Sequence, residues 1–213
     1  PAGGRVLIVT SGPPTVGPGS LPTSPDHPQF EFEEANAMAH LAKLADAAAG
    51  RGVAVDVLAG GQDAVNVPLL LPLTSRSGGA LMLHEEFGEQ WMASAAGALH
   101  RTGGSDGVLD VRVSPSLRVS RLIGPLEPLP FPSDVVEESG EFSPAAVRMC
   151  SVEAKQGCAM CLELAEDLVE DHACVQVVVR YQPSEGMGAV VERVVTRRLG
   201  ATSSVSHFLA SVD

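Results

Sequence analysis

Arg5 to Thr10 (RVLIVT) is an apolar, mostly β-branched run without alternation, the pattern of a parallel strand covered by helices on both faces. It stops at Ser11-Gly12-Pro13-Pro14, and the prolines and glycines as far as Pro28 predict an irregular surface loop. From about Glu33, the apolar positions Ala35, Met38, Leu41, Ala42, Ala45 and Ala49 recur at three- and four-residue spacing. Acidic residues crowd the first turn and Gly50 and Gly52 follow, which predicts an amphipathic helix. Val53 to Ala59 reads as a second strand and Ala80 to Leu83, after Gly78-Gly79, as a third, with a short helix between them. Phe87, Trp91, Ala95 and Leu99 then mark one face of a helix ending near His100. This alternation predicts an α/β fold with a parallel sheet. Three strands make a poor sheet, so further strands are expected from sequence upstream of Pro1.

Near Arg101 to Gly107 (RTGGSDG) the pattern changes. Val108 to Val113, Leu117 to Ile123, Ala145 to Val152, Cys158 to Leu164, Ala173 to Tyr181 and Ala189 to Val195 are short, alternating or β-rich, and separated by turn residues. They predict an all-β segment, a β-sandwich or barrel. The expected organisation is an α/β unit over 1–104, a β-sandwich segment over 105–200, and a linker or the start of a helical region over 201–213.

Composition narrows the class of function. Aromatic residues supply only 4% of the chain, so the core must be built from Ala, Val and Leu. The net charge of −12 divides into −5 up to Gly104 (5 basic, 10 acidic) and −7 beyond it (9 basic, 16 acidic). Such a surface repels polyanions, which excludes nucleic acid as a partner. No apolar run reaches the roughly 18 residues that span a bilayer. The opening Pro1-Ala2-Gly3-Gly4 carries no start methionine and no signal-peptide pattern, which predicts a piece cut from a longer protein.

Candidate chemistry is sparse. The loop Gly12-Pro13-Pro14-Thr15-Val16-Gly17-Pro18-Gly19 resembles a phosphate cradle only superficially, because its prolines remove the backbone N–H donors that a cradle needs. Cys158-Ala159-Met160-Cys161 is a bare C-x-x-C without a second pair. On a strand its thiols would point to opposite faces, so buried structural cysteines are the expectation and a thiol- or zinc-dependent enzyme the alternative. All four cysteines lie in the second half and are expected to be reduced. Six histidines stand singly, and no nucleophile elbow is present. Arg193, Arg197 and Arg198 form the one basic cluster, read either as charge protecting an edge strand or as an anion or lipid contact.

Taken in order, these segments resemble the inner-shell subunit family of the COPII vesicle coat, the GTPase-activating partner of the cargo-binding coat subunit. The resemblance is carried first by Gly4-Arg5-Val6-Leu7-Ile8-Val9 with Gly12-Pro13-Pro14-Thr15-Val16-Gly17-Pro18-Gly19. It continues through Val55-Asp56-Val57-Leu58-Ala59, Gly78-Gly79 and Phe87, then Ser116-Leu117-Arg118-Val119-Ser120 leading to Ile123-Gly124-Pro125, and Tyr181-Gln182-Pro183-Ser184-Glu185-Gly186.

The resemblance implies the C-terminal half of a von Willebrand A-like trunk followed by β-sandwich strands. It implies a scaffold rather than an enzyme, with the sister coat subunit and a Sar-type small GTPase as partners and the cytoplasmic face of the endoplasmic reticulum and its vesicles as location. The family's zinc finger lies upstream of the trunk, so no cofactor is expected in these residues. Its GTPase-activating arginine lies downstream, and no arginine here inherits that role. Gly12, Pro13, Thr15, Gly17, Pro18 and Gly19 are the candidate special loop, for packing or for partner contact. A metal-dependent von Willebrand A-like adhesion module ranks last, because its Asp-x-Ser-x-Ser site is not in this sequence.

Overall fold

The computed structural model describes residues 3–22, 24–61, 65–100, 103–129, 145–154, 156–185 and 188–211. β1 (Gly4–Thr10) pairs in parallel with β2 (Val53–Gly60), which in turn pairs in parallel with β3 (Leu81–His84). Burial on both faces, expected for the first strand, falls instead on the central strand. β2 is buried over nearly its whole length, while Val6 and Val9 of the edge strand β1 are exposed.

Two helices cover one face of this sheet. α1 (Phe30–Ala49) buries Ala37, Leu41, Ala45 and Ala49, and α2 (Val67–Ser77) buries Leu69, Leu70 and Leu73; they meet Val55, Val57 and Leu21 in one core. The expected face of α1 is therefore partly wrong, since Ala35 and Met38 are exposed. α2 carries Pro68 at its start, where a missing N–H costs nothing, and Pro72 inside. Asn66 caps it by accepting from the Leu69 amide (3.2 Å). Ser77, fully buried, donates to the Leu73 carbonyl (2.6 Å) and accepts from the Val55 amide (2.8 Å), tying α2 to β2. Gly78 ends α2 in the left-handed region (φ 69°), and a Cβ on Gly79 would collide with the Val55 carbonyl.

α3 (Glu89–Leu99) lies on the other face. Trp91 packs edge-on against Phe87 (centroids 5.3 Å apart), and both crowd Gly60. Leu99, expected on the packed face, is 72% exposed, and Ala98 is buried in its place.

The first strand of the second unit begins earlier than its apolar pattern suggests. β4 (Gly103–Val113) runs through the stretch read as a break, bulging at Asp106 (φ 49°). Gly103 and Gly104 are glycines for a packing reason: the Val152 carbonyl lies where a Gly103 side chain would sit, and the Tyr181 ring where a Gly104 one would. β5 (Leu117–Ile123), β6 (Glu127–Pro128), β7 (Ala145–Glu153), β8 (Ala159–Leu164), β9 (His172–Pro183) and β10 (Val191–Gly200) follow. They form a five-stranded antiparallel sheet in the order β10-β9-β4-β7-β6, and a second layer of β5 with β8. Leu109, Val111, Val113, Met149 and Val175 on the large sheet meet Leu117, Val119, Leu122, Met160 and Leu162 on the small one, which makes a sandwich. A short exposed helix, α4 (Val205–Ala210), closes the described chain. Among the described residues no helix is long and apolar enough to cross a membrane.

Candidate partner-binding site

The loop after β1 is anchored at both ends. Thr10 Oγ1 donates to the Gly12 carbonyl (2.7 Å), and the Leu21 amide donates to the Pro14 carbonyl (2.8 Å), closing the loop where Leu21 enters the core. Within it the Ser20 amide donates to the Gly17 carbonyl (3.1 Å) across Pro18-Gly19, a turn whose third residue needs positive φ; Gly19 has φ 90°. Gly12, Pro13 and Gly19 are half-buried, Gly19 against His40 and Leu41 of α1. Thr15, Gly17 and Pro18 are exposed at the tip, with Val16 88% exposed between them. Sequence grouped these six residues as one feature; the structure divides them into a packed base and a presented tip.

The carboxyl ends of the parallel strands, where α/β sheets hold ligands, show polar groups already engaged. Asn66 donates to Glu34 (2.7 Å) besides capping α2, and His84 shares a hydrogen bond with Ser94 (2.9 Å).

Arg193, Arg197 and Arg198 lie on β10, at one edge of the large sheet and far along the chain from the loop. Arg193 and Arg197 share a face and Arg198 takes the other. Arg193 donates to the Tyr181 hydroxyl (3.3 Å), a contact that raises its pKa, and Arg198 reaches Asp171 (3.5 Å).

The cysteine expectation needs correction. Cys161 is exposed because it lies on the solvent-facing side of β8, and Cys158, which precedes β8, is exposed as well; Cys150 alone of the four is buried. Among the described residues no group of three or more His, Cys, Asp or Glu gathers as a metal site.

What sequence reasoning missed is the joint between the two units. Arg5 on β1 donates to Asp56 (2.6 Å) within its own sheet, and to Ser151 (2.5 Å) and Glu153 on β7 of the sandwich. Burial alone would lower the Arg5 pKa, but the hydrogen bonds and charges of Asp56 and Glu153 outweigh it and the net shift is upward. In the reverse direction Arg148 on β7 donates to the Gly50 and Ala49 carbonyls at the C-terminus of α1, where the helix dipole favours a cation. Between the two arginines Cys150 packs on Ala49 and Ala54, and burial pushes its thiol up to about 11. One signal was available: Asp56 interrupts a fully buried apolar strand, and a buried carboxylate demands a partner.

This geometry defines a two-part scaffold, a von Willebrand A-like α/β unit fixed to a β-sandwich. Its fold matches the crystal structure of the human COPII-coat protein Sec24c (TM-score 0.70, 18% identity, 96% of this chain and 27% of that one). It also matches a von Willebrand factor type A structure from Catenulispora acidiphila (TM-score 0.57, 11% identity, 95% and 43%). The family profile described as the Sec23/Sec24 trunk domain matches residues 1–96, and that of the Sec23/Sec24 beta-sandwich domain matches residues 104–202. Protein transport protein SEC23 A of Arabidopsis thaliana is 35% identical over 214 residues, covering 100% of this chain and 24% of its own length. The chain belongs to the Sec23/Sec24 family of COPII coat proteins, structural scaffolds of protein transport. It spans about a quarter of the length of that relative.

Proposed function

We propose that this chain is the scaffold portion of a COPII inner-coat subunit in endoplasmic reticulum to Golgi transport. It binds the cargo-binding sister subunit and the GTP-loaded Sar-type GTPase on the cytoplasmic face of the endoplasmic reticulum membrane. GTPase activation belongs to the complete protein, and these residues need no cofactor. Residues 201–213 lead into a helical region. The observation that carries the reading is the 35% identity to SEC23 A over the whole of this chain, which covers 24% of that protein. A joint that locks both units into one body supports it, as does a loop tip held out by a packed base. The tip, Thr15 to Pro18, is the candidate contact.

Isothermal titration of the folded chain against the purified sister subunit tests the reading. Saturable binding near one to one is expected, and Val16→Asp should weaken it about tenfold if the tip is a central contact. A folded chain that binds neither the sister subunit nor the GTPase would overturn the proposal.

A further inference from the structure

We draw no further inference here: the strongest candidate, the small polar cavity between the two units lined by Arg5, Ser105, Cys150, Glu153 and Ser184, belongs to the joint already described, where its two charged side chains, Arg5 and Glu153, are bonded to each other and so hold no charge free for a ligand.

Discussion

Replacing Arg5 by methionine preserves most of the side chain's length and removes its charge from the joint. Asp56 is 0% exposed, so the variant leaves a buried carboxylate that keeps the Ala80 amide (2.7 Å) but loses the guanidinium. Breaking one side of a buried pair costs about 3–5 kcal/mol. The Glu153 arm is partly solvated, at 24% exposure, and adds ~1 kcal/mol or less. Destabilisation of Arg5→Met should thus be about 4 kcal/mol, read as a urea midpoint lowered by roughly 2 M for a slope near 2 kcal/mol/M. Adding Asp56→Asn removes the stranded charge while leaving an oxygen for the Ala80 amide, and should restore at least about half of the loss. Glu153→Gln alone should cost only ~1 kcal/mol. If Arg5→Met shifts the midpoint no more than Glu153→Gln does, or if Asp56→Asn rescues nothing, the joint is not held by a buried charge and the reasoning fails.

Gly79→Ala should destabilise by about 1–3 kcal/mol in the same unfolding assay, since its Cβ meets the Val55 carbonyl, whereas Gly97→Ala in α3 meets nothing within 4 Å and should stabilise by about 0.5–1 kcal/mol. The Cys150 thiol has a folded pKa of about 11 against 9.0 for an ordinary thiol, so its contribution is intact below pH 9 and is lost as the pH rises towards 11. Cys150→Ala should abolish that alkaline loss in unfolding curves taken across this window. Under native conditions iodoacetamide should modify Cys158 and Cys161 well before Cys150, with mass spectrometry of the tryptic peptides as the readout.

The α/β order and the sandwich strands were legible in the sequence because period-2 and period-3.6 patterns are local. The phase of α1 was not, because alanine occupies nearly every side of Phe30–Ala49 and a small apolar residue is equally at home buried or exposed. Its start was obscured as well, since Gln29 makes no side-chain cap. Gly103 and Gly104 read as a break because glycines required by the Val152 carbonyl and the Tyr181 ring look, in sequence, like ones required by a turn. Of the candidate site, the loop's turn chemistry was visible, but its division into base and tip depends on α1 packing against Gly19. The joint joins Arg5 to residues 146 and 148 positions away, a distance over which no periodicity carries information.

The two arginines cross the joint in opposite directions, Arg5 reaching from the α/β sheet into the sandwich and Arg148 from the sandwich into the end of α1. Parting the two units would therefore take Ser151 and Glu153 from Arg5, leaving it Asp56, and take the end of α1 from Arg148, leaving it Asp106. The border between the two units is thus a border of folding pattern and not of stability: melting of either half withdraws ligands from the other, and the pair should unfold as a single cooperative body.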